Sequence, residues 1–225
     1  MIDPNYVLPP EAVSNEAVAR RLVEDAAEQI RAGRLKKKRL VWLELTGCSG
    51  NIISLLDGFH PDLEYLVTSM VDLVYENSLM AAEGERAMER LMGVLDEEFI
   101  LAVEGAVSLK NNGLYNVIGR WQGEPLTALA AARMLGPRAT HVIAVGACAV
   151  DGGPSAASPN PAQCVGLPEV VDRPMIKLPG CPCHPDWFLG TLAHLLLYGA
   201  PKLDDLGRPL LFYGPTIHDR CPRRP

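Results

Sequence analysis

Three cysteines lie at the ends of apolar segments and beside glycines, which makes them the residues best suited to chemistry. Cys48 lies in Leu-Thr-Gly-Cys-Ser-Gly-Asn (45–51), Cys148 in Val-Gly-Ala-Cys-Ala-Val-Asp-Gly-Gly (145–153) and Cys181 in Leu-Pro-Gly-Cys-Pro-Cys-His-Pro (178–185). Their separation in sequence is too large for a local zinc site, whose ligands come in closely spaced pairs. Three thiolates that a fold brings together are typical ligands of an iron–sulfur cluster. We therefore predict that these cysteines bind one such cluster.

Glycines around the cysteines favour the same interpretation. The sulfides of a cluster accept hydrogen bonds from backbone N–H groups, and a chain without Cβ atoms approaches them most closely. For any single cysteine the alternative is a small buried apolar residue, and zinc is the alternative metal. The matched contexts of all three favour the cluster. The glycines that supply the room are Gly47, Gly50, Gly146, Gly152, Gly153 and Gly180.

The fourth ligand of the predicted cluster is left open by the sequence. Cys183, two residues after Cys181, is the best candidate by chemistry, and Glu44 and Asp151 offer oxygen donors. A three-iron cluster is the remaining alternative, because it needs only three thiolates. We interpret Cys164 as structural.

A second group of metal-binding residue types lies near residue 225. His218 and Cys221 form an i, i+3 pair, which places them side by side on one helical turn. Imidazole and thiolate together could hold one edge of a second cluster. The alternative is a surface tail with no ligand role.

The elements that must position these residues are strands alternating with helices, which predicts a doubly wound parallel α/β sheet with an extra N-terminal helix. In such sheets ligands bind outside the carboxyl ends of the strands, where all three cysteines fall. We expect the first helix to pack outside the main core and to contact a partner chain. The predicted strands are 40–45, 65–75, 99–103, 140–145 and 175–178, and the predicted helices are 14–32, 52–56, 78–95, 126–135 and 186–198.

Composition narrows the possible partners and the compartment. The 225 residues are 48% hydrophobic and 21% charged with a net charge of −6, which argues against a nucleic-acid partner. We interpret the basic run 34–39 as a solvated junction between a helix and a strand. No apolar stretch reaches the roughly 20 residues that span a bilayer, and we expect no signal peptide. We therefore expect a cytoplasmic protein, in which six cysteines indicate metal or redox chemistry rather than disulfides.

Ordered along the chain, several segments together resemble the small, electron-transferring subunit of nickel–iron hydrogenases from about residue 40 to the last residue. Two of them include Cys148 and Cys181, and another includes His218 and Cys221. The segments are Val-Trp-Leu-Glu-Leu-Thr-Gly-Cys-Ser-Gly-Asn (41–51), Val-Glu-Gly-Ala-Val (103–107), Val-Ile-Ala-Val-Gly-Ala-Cys-Ala (142–149), Pro-Asn-Pro (159–161), Leu-Pro-Gly-Cys-Pro-Cys-His-Pro-Asp-Trp-Phe-Leu-Gly-Thr-Leu (178–192) and Thr-Ile-His-Asp-Arg-Cys-Pro-Arg-Arg (216–224).

The resemblance implies a role for each cysteine group. Cys48, Cys148 and Cys181 would bind the cluster proximal to the nickel–iron centre, and His218 and Cys221 would match the first two ligands of the distal cluster. The nickel–iron centre itself would lie in a partner large subunit, so that this chain forms part of a heterodimeric hydrogenase and carries no nickel–iron site. A further electron-transfer chain, or a second copy of the small subunit, would complete the relay. The Ser-Gly-Asn after Cys48 is similar to the uptake and hydrogen-sensing branch.

The resemblance also implies a domain organisation. Residues 1–38 would form an N-terminal arm and helix, 39–200 the flavodoxin-like cluster-binding domain, and 201–225 the start of a truncated C-terminal cluster segment. We predict no complete medial or distal cluster within the 225 residues.

Two departures from the family pattern surround the predicted cluster. Leu45 stands where the family has the first cysteine of Cys-x-x-Cys, and Cys183 stands where it usually has proline. The cluster could accordingly be [4Fe-4S] or [3Fe-4S]. Loss of one thiolate removes negative charge, which should raise the reduction potential and favour hydrogen uptake. The alternatives are a regulatory hydrogen sensor and a cluster-free interaction subunit; a flavin-binding protein is a weaker rival because no Ser/Thr phosphate loop follows the first strand.

Overall fold

A five-stranded parallel sheet forms the centre of the protein. The structure is a computed structural model that describes residues 14–58, 61–214, 216, 218 and 223. The strands of the central sheet are β1 (Lys38–Glu44), β2 (Val71–Glu76), β3 (Phe99–Glu104), β7 (His141–Val145) and β9 (Ile176–Leu178). Two small antiparallel pairs lie outside it, β4 (Val107–Ser108) with β8 (Cys164–Val165) and β5 (Val117–Trp121) with β6 (Glu124–Thr127).

The strand order is that of the flavodoxin-like folds and confirms the predicted fold class. The sheet runs β2-β1-β3-β7-β9, with every neighbouring pair parallel. After β1 the chain crosses to β2 on one side of the sheet, and after β3 it crosses to β7 on the other side. The connections that follow β1 and β3 therefore leave the carboxyl edge in opposite directions. This switch point is where such sheets bind ligands.

Helices cover both faces of the sheet. A π-helical turn (Leu66–Met70) precedes β2, and 3-10 turns occur at Val94–Asp96, Lys110–Gly113 and Leu167–Glu169. None of the helices in the described part of the chain has the length and apolarity needed to span a bilayer. The α-helices are α1 (Asn15–Arg31), α2 (Gly50–Leu56), α3 (Leu63–Tyr65), α4 (Gly84–Gly93), α5 (Ala128–Leu135), α6 (Gly146–Asp151), α7 (Gly153–Ala156), α8 (Pro185–Tyr198) and α9 (Leu210–Tyr213).

The alternation of side chains along β1 divides the interior into two cores. Leu40 and Trp42 point to the face covered by α1, α2 and α8, whereas Val41 and Leu43 point to the face covered by α4 and α5. All four side chains are buried, as is every residue of β3. Burial on both faces explains why these strands are nearly continuous apolar runs.

The N-terminal helix belongs to the first core, so the prediction that it packs outside the main core is wrong. Ser14 caps α1 by accepting a hydrogen bond from the N–H of Ala17 at 3.2 Å. The apolar face of α1 is buried with α8, and the contact is close: a Cβ on Gly190 would lie 3.0 Å from the Cα of Ala19. The alanine-rich face of α1 permits this close approach. The pattern of apolar residues in the sequence does not by itself reveal the contact.

Two predicted elements have different bounds in the structure. Residues 65–75 are not one strand, because Asp62 caps a helical turn by accepting from the N–H of Tyr65 and β2 begins only at Val71. The predicted helix 78–95 begins only at Gly84. The reason is that the carboxylate of Glu76 accepts hydrogen bonds from the backbone N–H groups of Ser78 and Leu79 and holds these residues in a turn.

The hairpin of β5 and β6 is absent from the sequence-based prediction, which began a helix at residue 126, inside the second strand. Gln122 and Gly123 have φ values of +52° and +85° and form the tight turn between the strands. Thr127 then caps α5 by accepting from the N–H of Ala130 at 3.1 Å, which starts the helix at Ala128. The Gln-Gly pair between two short strands was the available signal.

Candidate iron–sulfur site

The three predicted cluster ligands lie around one cavity at the carboxyl edge of the sheet. Cys48 follows β1, Cys148 lies in the first turn of α6 directly after β7, and Cys181 follows β9. The cavity has a volume of about 130 Å³, and its lining includes these cysteines, Asn51, Glu104 and neighbouring glycines. The loops are joined directly, because the N–H of Ala147 donates to the carbonyl of Gly180 at 2.7 Å.

The electrostatics of the cavity suit a cationic group. Cys48 and Cys181 are exposed, and Cys148 is half-buried. Burial raises the pKa of the Cys148 thiol, and the thiolate charges of Cys181 and Cys48 and the carboxylate of Glu104 raise it further. Three thiolates at this point therefore require compensating positive charge, which metal ions bound by thiolates supply.

A single metal ion is the alternative to an iron–sulfur cluster at this cavity. In the described residues, no three His, Cys, Asp or Glu side chains are arranged to hold one metal ion. A structural zinc ion requires ligands that converge on one point. Three thiols around one cavity are the donor type that iron–sulfur clusters use.

The structure does not bring Cys183 to the cavity. Its side chain is 2% exposed in the first core, its Sγ lies 3.5 Å from the carbonyl oxygen of His184, and burial raises its pKa to about 12. Its backbone N–H, by contrast, donates to Asn51, a residue of the cavity lining. Its proposed role as a fourth ligand is therefore not supported by its position.

The cavity lining also lacks Leu45 and the two oxygen-donor candidates for the fourth ligand, Glu44 and Asp151. Leu45, which stands at the family's first cysteine, packs against the second core. Glu44 accepts a hydrogen bond from the hydroxyl of Ser78, and Asp151 is exposed at the last position of α6.

A further cysteine and two histidines lie outside the cavity lining. Cys164 is 3% exposed in β8, where Asn160 holds its backbone through bonds of 2.8 and 2.9 Å, in line with its structural interpretation. His184 caps α8 by accepting from the N–H of Asp186. His218 is exposed, whereas Cys221 lies outside the described residues, so their pairing stays a prediction.

Glu104, at the end of β3, is the buried acid that holds this edge together. Its carboxylate accepts hydrogen bonds from the backbone N–H groups of Asn51 and Ile52 at 2.8 and 3.0 Å, and from the side chains of Asn51 and Trp42 at 3.0 and 3.3 Å. Burial raises its pKa, and these hydrogen bonds oppose the shift. The carboxylate thereby fixes the start of α2, which begins two residues after Cys48.

Asn51 is the site residue that sequence reasoning missed. It lies three residues after Cys48, and its side chain reaches both other cysteine loops. The sequence gives no direct signal for this role, because its partners are 53 to 132 residues away.

With the fold and the cavity described, comparison with known proteins defines the class of protein. Residues 48–195, which include all three cavity cysteines, match the family described as NADH ubiquinone oxidoreductase, 20 Kd subunit. The chain belongs to this family.

Within that class, the similar proteins are hydrogenase small subunits. The chain is 39% identical to the Hydrogenase-2 small chain of Escherichia coli K12 over 191 residues, which cover 83% of this chain and 50% of that protein. It is 39% identical to the uptake hydrogenase small subunit of Azotobacter vinelandii, again over 191 residues and over 83% and 52% of the two chains. The reduced, active nickel–iron–selenium hydrogenase of Desulfomicrobium baculatum superposes with a TM-score of 0.78 and 33% identity, covering 83% of this chain and 74% of that one.

These findings confirm the predicted relationship to hydrogenase small subunits. The chain spans about half the length of the first two of these relatives.

Proposed function

We propose that this chain is the iron–sulfur electron-transfer subunit of a nickel–iron hydrogenase, and that a partner large subunit oxidises H2. The observation that carries the proposal is the convergence of Cys48, Cys148 and Cys181 on one cavity at the switch point of the sheet. The names of its relatives supply the class of reaction.

The residues of the chain would divide the binding task between them. The three cysteines would hold the cluster as thiolates, and Glu104 would keep the start of α2, and with it the Cys48 loop, in place. When bound, an iron–sulfur cluster accepts and donates single electrons at a potential that ligand type, backbone hydrogen bonds and burial determine.

The cluster type is part of the proposal. Three cysteines at the cavity, with Leu45 packed against the second core, support either a [3Fe-4S] cluster or a [4Fe-4S] cluster whose fourth ligand is not a cysteine of this cavity. One thiolate fewer reduces the negative charge at the cluster, which raises its reduction potential and favours H2 uptake. An EPR-monitored redox titration tests this, and a very low-potential cluster with four cysteine ligands would contradict it.

Apolar side chains exposed beside the cavity support a partner that covers it. Ile53 and Leu56, on α2 after Cys48, are 52% and 44% exposed, and Leu114 and Tyr115 are 55% and 57% exposed. The second pair is tied to the Cys48 loop by the next residue, Asn116. Its side-chain amide donates a hydrogen bond to the hydroxyl of Thr46 at 2.8 Å. Apolar surface of this kind is typical of a protein interface, and a hydrogenase large subunit seated there would exclude water from the cluster.

His218 and Cys221 remain candidate ligands of a distal cluster. A further electron-transfer chain or a second copy of this subunit would have to supply other ligands. Removal of Cys221 should abolish one of two EPR-detectable clusters in the complex and leave the cavity cluster intact. Retention of both signals would contradict the assignment.

We also propose that the protein is cytoplasmic, on the basis of its cysteines, which are all free in the described residues. Cell fractionation tests the compartment, and recovery in a periplasmic extract would contradict it.

The function is tested by anaerobic purification of the chain with its bound partner. We expect iron and acid-labile sulfide in the complex, and an EPR signal of the cluster that changes when H2 is added. Rapid turnover with an artificial acceptor would favour the uptake role over a slow hydrogen sensor. Absence of both iron and sulfide would contradict the proposal and would favour a cluster-free interaction subunit.

A further inference from the structure

Asn51 connects all three cysteine loops through its own backbone and side chain. It is the second residue of α2, three residues after Cys48, and it belongs to the cavity lining. The first connection is to the Cys181 loop: the backbone N–H of Cys183 donates to Asn51 Oδ1 at 2.8 Å. A residue of the Cys48 loop thus holds the backbone two positions after Cys181.

The nitrogen end of the same amide faces the ends of the strands β3 and β7. Asn51 Nδ2 donates to Glu104 Oε1 at 3.0 Å and lies 3.5 Å from the carbonyl oxygen of Val145, the last residue of β7 before the Cys148 turn. The backbone N–H of Asn51 donates to the same oxygen of Glu104 at 2.8 Å. The buried carboxylate therefore fixes Asn51, and Asn51 in turn reaches the end of β7.

Gly146 leaves the space that this arrangement needs. Its φ is +82°, and a Cβ atom there would lie 2.5 Å from Asn51 Nδ2 and 2.6 Å from Asn51 Oδ1. The side chain of Asn51 is therefore seated against the backbone between β7 and Cys148.

We propose that Asn51 is a positioning residue that sets the relative placement of the three cysteine loops, and through them the environment of the cluster; this inference rests on the proposed function. The role requires an asparagine, because one end of the side chain must accept from an N–H group and the other must donate to a carboxylate and a carbonyl. Alanine makes neither contact. Aspartate keeps the acceptor and places a second carboxylate against Glu104.

The variants Asn51→Ala and Asn51→Asp test the proposal in the 225-residue chain, reconstituted anaerobically with iron and sulfide. We expect iron retention against a chelator to fall by about 10-fold in both variants, as for residues that orient metal ligands. We also expect the EPR g-values and the midpoint potential of the remaining cluster to shift, because the loops that carry its ligands are no longer held together.

A matched control is available at Asn160. Its side-chain amide makes an equivalent pair of bonds, 2.8 and 2.9 Å long, to the backbone of Cys164, and neither residue lines the cavity. Asn160→Ala should therefore lower thermal stability and leave the EPR signal and the potential of the cluster unchanged. A native spectrum and a native potential in a loaded Asn51→Ala variant would overturn the proposal, even if its stability is reduced.

A second pair of variants keeps the test decisive if Asn51→Ala alone folds poorly. Gly146→Ala should disturb the cluster because its new Cβ meets the Asn51 amide, and adding Asn51→Ala should remove that clash. The double variant should therefore lose less iron than the product of the two single losses predicts. Simple additivity would overturn the proposal.

Two failures have different signatures. A wild-type chain that binds no iron would contradict the proposed function and this inference with it. A wild-type chain that binds iron, beside an Asn51→Ala variant with the same iron content, spectrum and potential, would contradict only the inference.

Discussion

Trp42 Nε1 donates a hydrogen bond to Glu104 Oε2 at 3.3 Å, and both residues are only 2% exposed. The indole joins the middle of β1 to the end of β3, so the buried carboxylate is held from inside the core as well as from α2. Glu104 therefore serves the core and the cavity at once, which makes it the most informative acid to replace.

Glu104→Gln should lower the free energy of unfolding of the apo chain at pH 7 by about 1–3 kcal/mol. A glutamine has one acceptor oxygen and one NH2 group, so it cannot accept from all four donors that surround Glu104. Urea unfolding measures the change, with exposed Glu83→Gln as the control. Equal stability of the two variants would show that the hydrogen bonds of Glu104 contribute little.

Glu76 predicts a pH dependence of stability. It is 1% exposed, and burial, together with the charges of Glu44 and Glu104, raises its pKa from 4.5 to about 7, against two backbone hydrogen bonds. The folded chain therefore keeps a proton that the unfolded chain releases, so the free energy of unfolding falls as the pH rises from about 4.5 to 7.

Glu76→Gln should remove that part of the pH dependence, because glutamine does not ionise. Its oxygen can still accept the N–H groups of Ser78 and Leu79. We expect the variant to be more stable than the wild type by about 1–2 kcal/mol at pH 8, with the difference disappearing towards pH 4. Chemical unfolding over this pH range provides the test, and parallel curves for the two proteins would contradict it.

Gly153→Ala should impair the cavity more than the fold. The φ of Gly153 is +51°, and a Cβ there would lie 2.8 Å from Cys148 Sγ; Gly84 has φ +57° and open space around its Cβ position. Both alanine variants carry the strain of the left-handed region, about 1–2 kcal/mol. We expect only Gly153→Ala to retain iron about 10-fold less well, and equal iron retention in the two would refute the explanation.

Leu114→Lys should weaken binding to the proposed partner subunit without unfolding the chain. Leu114 is 55% exposed and lies next to the segment tied to the Cys48 loop. Leu206 is 61% exposed and lies in a turn bonded to Lys177, the middle residue of β9, and it does not line the cavity. Leu206→Lys is therefore the control. Equal co-purification of both variants with the partner would place the interface elsewhere.

The sequence was sufficient to predict the sheet and the convergence of three cysteines, for a physical reason. Buried parallel strands are continuous apolar runs, and their carboxyl ends necessarily meet at one edge. Cys48, Cys148 and Cys181 each follow such a run, so their proximity depends on topology alone and not on side-chain detail.

The parts that could not be predicted depend on side-chain direction and on distant contacts. Spacing from Cys181 does not show that the side chain of Cys183 points into the core. The role of Asn51 depends on Glu104 and on the Cys183 backbone, which are far away in sequence. The apolar run 65–75 has no period that separates a helical turn from a strand, and the cap at Asp62 decides its first half.

The most direct test of the account is the iron and acid-labile sulfide content of single cysteine variants, purified anaerobically and measured beside the wild type. Cys48→Ser, Cys148→Ser and Cys181→Ser should each lose most of their iron and sulfide. Cys164→Ser and Cys183→Ser should retain both, because neither side chain lines the cavity. Full iron content in any of the first three variants, or loss of the cluster on replacing Cys183 alone, would contradict the site described here.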